Sequence, residues 1–187
     1  EQLVANDYDL VAFSDKCQVY KAKLDDFDEV KPSALGDYIP AKLGFESDEN
    51  VVAITVTKDY KGSVALFFEN GKAVRVPMSE YATQGARKKL KKAYSSASPI
   101  VGAIYEKSDD HILIINSESK AILIRPSLIP IKTTRTSMGT TVFAMNLKKN
   151  QVITEVLEKY EDKYPDAYQR YRKIKIPAIP TTKKDSI

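Results

Sequence analysis

The chain has few of the residues that usually build metal or nucleophile chemistry, with one histidine, one cysteine and no tryptophan among 187 residues. Cys17 has no second cysteine in the chain to pair with, which fits a reducing, intracellular setting. A zinc site usually needs three or four such ligands, so His111 and Cys17 alone exclude one. No apolar run approaches the ~18 residues of a membrane span, and no secretory signal pattern opens the chain.

Motifs of catalysis are missing as well. The sequence contains no phosphate-binding P-loop, no nucleotide fingerprint and no nucleophile–histidine–acid set. His111 stands beside Asp109 and Asp110, and this arrangement is more typical of a surface turn than of a metal or catalytic site. We therefore expect no catalytic residue and no metal ligand in this chain.

Charge is modest in total and strongly segregated along the chain. The formal net charge is +4. Residues 25–50 hold eight acids against Lys31 and Lys42, whereas residues 81–105 hold five bases and residues 119–154 hold six, both without an acid. Segregated charge builds a local field that the mean value hides.

Internal repetition predicts the architecture. LVAFSDKCQVYKA from Leu10, VALFFENGKAVRVP from Val64 and ILIINSESKAILIR from Ile112 each show an apolar run, a polar turn and a second apolar run. This pattern is typical of a β-hairpin, most clearly at Asn70-Gly71. Aligning Val19, Val74 and Ile122 gives spacings of 55 and 48 residues. VVAITVT, PIVGAIYE and QVITEVLE then supply a further strand near the end of each unit.

Units of about 50 residues with about four strands have the size of propeller blades. We predict a single all-β domain over residues 1–187, built of about three to four four-stranded blades. The predicted units are residues 7–57, 58–106 and 107–158, followed by a helical segment and tail at 159–187. TEVLEKY (Thr154 to Tyr160) and PDAYQRYRK (Pro165 to Lys173) look helical, and IKIPAIP looks extended. Glu1 to Asn6 would end a preceding unit, so we expect a piece of a longer polypeptide.

Long polar loops follow each hairpin, and two of them carry the sequence motifs of a known family. VRVPMSEYATQGARKKL (Val74 to Leu90) resembles the blade motif in the C-terminal domain of the A subunit of bacterial type IIA DNA topoisomerases. TRTSMGTTVFAMNLKKNQVI (Thr134 to Ile153) is similar to the same loop followed by the strand that closes the blade. YRKIKIPAIP (Tyr171 to Pro180) resembles the end of that subunit in low-GC Gram-positive relatives.

This resemblance implies a fold and a role. The family domain is a β-pinwheel, a propeller-like disc whose basic outer rim binds and bends duplex DNA beside the cleavage core. The catalytic tyrosine, ATP and Mg²⁺ belong to other parts of the parent enzyme, so no cofactor is implied for this domain. Its implied partners are duplex DNA, the breakage-reunion domain and the ATPase subunit, with no membrane, in the bacterial cytoplasm on the nucleoid.

One departure bears on the type of enzyme. The gyrase subunit carries the heptapeptide Q-R-R-G-G-K-G, whereas QGARKKL (Gln84 to Leu90) keeps the glutamine and the basic character but has only one glycine. This difference favours a topoisomerase IV-like decatenase and relaxase over a supercoiling gyrase.

Cations that neutralise DNA phosphates release condensed counterions, largely without regard to base sequence. Gly85 and Gly139 would let the backbone approach a phosphate closely. The candidate DNA contacts are Arg75, Arg87, Lys88, Lys89, Lys91, Lys92, Arg125, Lys132 and Arg135.

The sequence leaves three questions open: the partner of the basic loops, the role of the acidic loop and the role of Tyr94. The basic loops could instead meet an acidic protein partner, which would make the chain a propeller-like interaction module. The acidic loop (residues 31–50) could limit the DNA path to later blades, face the enzyme core, or only keep the domain soluble. Tyr94 could pack on a sugar or anchor its loop to the blade edge.

Overall fold

A computed structural model gives the structure of the protein, and it describes residues 4–31, 33–83, 88–106, 108–144, 150–160, 163–164 and 185–186. These residues form three four-stranded antiparallel sheets, which we call blades 1 to 3. The strands are β1 (Asp9–Ser14), β2 (Gln18–Lys23), β3 (Val51–Thr57), β4 (Ser63–Phe68), β5 (Lys72–Pro77), β6 (Lys89–Lys91), β7 (Ile100–Tyr105), β8 (Ile112–Asn116), β9 (Lys120–Ile124), β10 (Thr140–Thr141), β11 (Ile153–Leu157) and β12 (Asp185–Ser186).

All three blades share one strand order. Blade 1 is β3-β1-β2-β6, blade 2 is β7-β4-β5-β10 and blade 3 is β11-β8-β9-β12. A hairpin forms the centre of each blade, the next long strand lies on one side of it, and a short strand forms the outer edge on the other. The predicted all-β fold of four-stranded blades is confirmed. The short outer strand, however, comes from the loop of the following unit, which the sequence pattern did not predict.

Turn geometry repeats in the three hairpins. Cys17, Gly71 and Ser119 all have positive φ, at 56°, 78° and 55°. In each hairpin, this residue lies two positions before the second-strand residue that pairs with the end of the first strand. The true spacings are therefore 54 and 48 residues, and the alignment of Val19 with Val74 and Ile122 is wrong by one position in the second and third units.

Apolar side chains fill the spaces between neighbouring blades. Val11 and Phe13 of blade 1 pack with Leu66 and Phe68 of blade 2 in one cluster. The opposite face of blade 2, with Ala65 and Phe67, packs against blade 3 in a second cluster. Strand alternation places adjacent residues of β4 on opposite faces, so one strand serves both interfaces. This stacking explains why β4 is buried along its whole length.

The face of blade 1 that turns away from blade 2 is also covered. Leu10, Ala12 and Tyr20 form an apolar cluster with Phe27 and Phe45, which belong to the segment rich in acids. Phe45 stacks on Tyr20 with ring centroids 4.2 Å apart. We call residues 25–50 the acidic segment. Its apolar side chains cap blade 1, which gives it a structural role beyond that of a solvated loop.

The end of the chain differs from the prediction. Thr154 to Tyr160 is not helical, because β11 pairs with β8 in the register Leu157–Leu113 and Val156–Ile114. Pairing and burial outweigh the helix propensity of glutamate and leucine here. The predicted helix from Pro165 and the extended segment at 174–180 lie outside the described residues. Residues 4–6 are not in a strand, and the single-domain boundaries stay a prediction.

Helices contribute little to the described part of the chain. One α-helix is present there, α1 (Ile39–Leu43), and it ends at Gly44 with a left-handed φ of 74°. No helix among the described residues has the length and apolar character needed to cross a membrane.

Candidate nucleic-acid interface

Two loops with clustered cations run along the outer edges of blades 1 and 2. The first basic loop (residues 82–98) contains β6, which pairs with β2 of blade 1. The second basic loop (residues 132–150) contains β10, which pairs with β5 of blade 2. Both loops therefore occupy the same place on consecutive blades.

The backbone fixes the two loops in the same way. Beyond β6, the Ala93 N–H donates to the Cys17 carbonyl at 2.9 Å. Beyond β10, the Val142 N–H donates to the Gly71 carbonyl at 2.9 Å. Cys17 and Gly71 are the left-handed turn residues of their hairpins, so each loop is held by the turn of the blade that it borders.

One side chain joins the two loops. Arg135 Nη1 donates to the Glu80 carbonyl at 2.8 Å and lies 4.0 Å from the Glu80 carboxylate. Glu80 belongs to the 3₁₀ turn Met78–Tyr81, directly before the first basic loop. The second loop thus begins against the start of the first, and the two form neighbouring parts of one surface.

Four lysines of the first basic loop are described, and they differ in their surroundings. Lys91 and Lys92 are exposed, and no side-chain hydrogen bond or ion pair of theirs is seen within the described residues. Lys88 Nζ lies 3.4 Å from Asp26 Oδ2, and Lys89 Nζ lies 3.2 Å from Glu46 Oε1. Residues 81–105 contain no acid of their own, but the fold brings acids from elsewhere in the chain to Lys88 and Lys89. Arg87, Gln84 and Gly85 lie outside the described residues.

Lys89 is held more firmly than Lys88. Its Nζ stands 5.0 Å from the centroid of the Tyr20 ring, a cation–π geometry. Contact with Tyr20 and then with Glu46 raises the pKa of Lys89 above its usual value. The side chain is 28% exposed, against 70% for Lys88. Lys89 therefore stays cationic at neutral pH, with part of its surface open to a larger anion.

The two described cations of the second basic loop have different surroundings. Lys132 is exposed, while its backbone N–H donates to the Arg75 carbonyl at 2.8 Å. Arg135 is turned toward Glu80, and its Nε is buried without a hydrogen-bond partner. The hydroxyls of Thr133, Thr134 and Thr136 lie exposed nearby and can donate hydrogen bonds to an anion. Lys148 and Lys149 lie outside the described residues.

The prediction that Arg75 contacts DNA does not agree with its position. Arg75 Nε and Nη2 donate to the two carboxylate oxygens of Glu106 at 2.7 and 2.9 Å. Nη2 also reaches Ser63 Oγ, and Nη1 reaches the Ile129 carbonyl, both at 3.4 Å. The two charged side chains are only 16% and 10% exposed. Because all three guanidinium nitrogens already have partners, Arg75 has a structural role in blade 2.

Arg125 remains at the surface, apart from both basic loops in the sequence. Its Nε donates to His111 Nε2 at 3.1 Å. Burial, and then the nearby Arg125 charge, lower the pKa of His111 below its usual value, so the imidazole is neutral and can accept this bond. No group of three potential metal ligands is found in the part of the chain that the structure describes.

Gly139 has a packing role rather than the predicted phosphate-facing one. Its φ is +72°, and an added Cβ would lie 2.2 Å from the Ala73 carbonyl oxygen. Only glycine lets the second basic loop approach β5 so closely. Tyr94 likewise anchors its loop, as one alternative predicted. Its hydroxyl donates to the Ser14 carbonyl and accepts from the Cys17 N–H, and burial raises its pKa.

The contacts between the acidic segment and the first basic loop have no signal in the sequence. Asp26 and Glu46 lie 62 and 43 residues before their lysine partners. They meet only because β6 crosses from the second unit to the edge of blade 1, a placement that depends on tertiary structure. Asp48 also pairs with Lys16, at 2.7 Å. Of the three interpretations of this segment, none anticipated ion pairs with the basic loop.

Known proteins share this sequence pattern and fold. The chain is 26% identical over 158 residues to the A subunit of DNA gyrase from Buchnera aphidicola subsp. Baizongia pistaciae, covering 83% of the chain and 18% of that protein. It thus spans less than a fifth of that relative's length. No protein-family model matches the chain.

Among solved structures, the C-terminal domain of DNA topoisomerase IV superposes with a TM-score of 0.68 at 14% identity, over 81% of this chain and 47% of that one. The DNA gyrase A C-terminal domain superposes with a TM-score of 0.55 at 13% identity, over 84% and 50%. These likenesses establish the β-pinwheel fold. With the gyrase A match, they confirm the resemblance to C-terminal domains of type IIA topoisomerase A subunits.

Proposed function

We propose that this chain is a non-catalytic domain that binds duplex DNA along the outer edges of blades 1 and 2. The observation that carries the proposal is the placement of two basic loops on equivalent outer strands, joined where Arg135 meets Glu80. The two loops form one cationic surface, as a continuous polyphosphate chain requires. The resemblance to topoisomerase A subunits supports the same role.

The chemistry of the surface suits DNA backbone recognition. Lysine is a compact charge on a flexible stem, and it neutralises phosphates without fixing a base sequence. Five described lysines are candidates for this contact: Lys88, Lys89, Lys91, Lys92 and Lys132. If each one meets a phosphate, log K falls with log salt at a slope of about −4.5. Arg75 is left out of the contact because its side chain is only 16% exposed against Glu106. Arg135 is left out because its Nη1 donates to the Glu80 carbonyl and its Nε is buried.

Within a whole enzyme, we propose that the domain holds DNA beside the cleavage core and presents it for strand passage. Following the edges of successive blades requires a bend, which costs on the order of 1–6 kcal/mol for a 20–30 bp site. A topoisomerase IV-like enzyme is favoured over gyrase, because QGARKKL has a single glycine. Such a parent would use ATP and Mg²⁺ in a breakage-reunion domain and an ATPase subunit, on the bacterial nucleoid in the cytoplasm.

The salt dependence of binding tests this proposal. A labelled 30 bp duplex is titrated with protein between 50 and 300 mM salt, and fluorescence anisotropy gives log K. The triple variant Lys91→Gln, Lys92→Gln, Lys132→Gln is expected to bind more weakly and to lower the magnitude of the slope by about 2.7, from three lost phosphate contacts. Two duplexes of unrelated sequence are expected to give equal results.

A charge-matched control separates this surface from the general field of the protein. Lys58, Lys61 and Lys163 are exposed lysines outside both basic loops. Changing these three to glutamine is expected to leave the slope unchanged. Equal slopes for the two triple variants would show that the outer edges are not the DNA contact. Weak, salt-insensitive binding by the unaltered protein would favour an interaction module for acidic proteins.

A further inference from the structure

Two carboxylates of the protein form ion pairs with lysines at the edge of blade 1. Asp26 Oδ2 lies 3.4 Å from Lys88 Nζ, and Glu46 Oε1 lies 3.2 Å from Lys89 Nζ. Both acids come from the acidic segment that caps blade 1, whereas both lysines come from the first basic loop. In this state the two ammonium groups are engaged by anions of the protein itself.

Glu46 is held in place by buried groups beneath it. Its backbone N–H donates to Glu49 Oε2 at 3.1 Å, and Glu49 is only 5% exposed. The Tyr20 hydroxyl donates to the same Glu49 oxygen, while the Tyr20 ring lies under Lys89 Nζ. Lys89, Tyr20, Glu49 and Glu46 therefore form one connected cluster. The fold therefore fixes the backbone position of Glu46 beside Lys89.

The ion pairs themselves remain open to solvent. The side chains of Asp26 and Glu46 are 44% and 61% exposed. Exposed ion pairs contribute little to stability, because water and salt screen them. A strong polyanion can thus exchange with these carboxylates without unfolding the cluster below them.

We propose that Asp26 and Glu46 stand in for DNA phosphates at the edge of blade 1, so that duplex DNA must displace them to reach Lys88 and Lys89. This inference rests on the proposed function. The acidic segment then acts as a built-in competitor, which weakens DNA contact at blade 1. Blade 2, where no acid contacts Lys132 among the described residues, keeps its free lysine for the first contact.

Neutral, nearly isosteric variants test this competition. The double variant Asp26→Asn, Glu46→Gln removes both competing charges and keeps side-chain size. We expect its affinity for the 30 bp duplex at 50 mM salt to be about threefold to tenfold higher than that of the unaltered protein. Asp25→Asn, Asp28→Asn is the matched control, because these exposed acids of the same segment contact no lysine of the first basic loop within the described residues. A change of less than about twofold is expected for the control.

A second readout measures the ion pairs without DNA. A water-soluble acylating reagent modifies lysine Nζ, and mass spectrometry gives the rate at each site. Lys88 and Lys89 are expected to react at least about twice as fast in Asp26→Asn, Glu46→Gln as in the control, while Lys91 reacts equally in both.

The outcomes separate this inference from the function on which it rests. If the unaltered protein binds DNA with the expected salt slope and both double variants gain equally, or neither gains, competition by Asp26 and Glu46 is overturned. If the unaltered protein binds no duplex at any salt concentration, the proposed function falls, and this inference falls with it. A selective gain in both affinity and Lys88 and Lys89 reactivity supports it.

Discussion

The edges of blades 1 and 2 have the same topology and use their cations differently. Blade 1 exposes a run of lysines, two of which are matched by acids of the capping segment. Blade 2 uses Arg75 and Arg135 for fixed contacts with Glu106 and Glu80 and leaves Lys132 at the surface. The planar, five-donor guanidinium suits such fixed contacts, whereas the ammonium suits an exposed, exchangeable one. The number of cations in a loop is therefore a poor count of its DNA contacts.

The largest expected effect concerns Arg75. Replacing it with alanine leaves Glu106 nearly buried without a counter-charge, so the free energy of unfolding is expected to fall by about 3 kcal/mol or more. Urea denaturation measures this change. Adding Glu106→Gln is expected to recover part of the loss, because the uncompensated charge is removed.

Arg125→Ala is the control for this prediction, because Arg125 is exposed and should change stability by no more than about 0.5 kcal/mol. If Arg75→Ala keeps full stability and loses DNA affinity instead, Arg75 is a DNA contact after all. The contrast between a structural and a binding cation on blade 2 would then disappear.

Two glycines with similar backbone angles give the next largest effect. Gly139, in the second basic loop, has a φ of +72° and lies against the Ala73 backbone, whereas Gly44, in the acidic segment, has a φ of +74° and open space around its Cβ position. We expect Gly44→Ala to cost about 1 kcal/mol from the left-handed backbone alone. Gly139→Ala is expected to cost at least about 2 kcal/mol, because the loop must also move away from β5. Equal losses in thermal or urea unfolding would mean that the second loop is not packed as described.

The smallest effect distinguishes the buried Glu49 of the acidic segment from the exposed acids of the same segment. Burial alone would raise the pKa of Glu49, but the nearby Ser14 and the hydrogen bonds from the Tyr20 hydroxyl and the Glu46 N–H hold it below its usual 4.5. A lowered pKa in the folded state means that Glu49 stabilises the protein above about pH 4.5 and loses this contribution as the pH falls through its folded value. The free energy of unfolding should therefore decline between about pH 5 and pH 3, as measured by urea denaturation.

Glu49→Gln is expected to show a shallower decline over the same range, because its amide does not titrate. Glu29→Gln, an exposed change in the same segment, is expected to keep the pH dependence of the unaltered protein. Identical pH profiles for Glu49→Gln and the unaltered protein would contradict a stabilising role for the buried carboxylate.

Local sequence signals predicted the hairpins well, because alternation and Asn70-Gly71 act within a few residues. They did not reveal the outer strands. β6 has three residues, two of them lysine, and it pairs with a strand about seventy residues earlier. At β11, helix-forming residues suggested a helix, but pairing with β8 decides the structure. Long-range contacts govern both cases.

The same limit applies to the candidate site. The sequence predicted surface cations at Lys91, Lys92 and Lys132, and all three side chains are exposed. The engagement of Arg75 depends on Glu106, 31 residues away, and that of Lys88 depends on Asp26, 62 residues away. The distribution of charge along the chain predicts where the basic surface lies, while the partners that neutralise it appear only in three dimensions.

Protection of individual lysines by DNA tests the central claim most directly. The protein is acylated with and without a saturating 30 bp duplex, and mass spectrometry gives the modification rate at each lysine. We predict that DNA slows the modification of Lys91, Lys92 and Lys132, while Lys58 and Lys61 react at unchanged rates. Unchanged rates at all three edge lysines under saturating DNA, or protection confined to Lys58 and Lys61, would contradict a DNA path along the outer edges of blades 1 and 2.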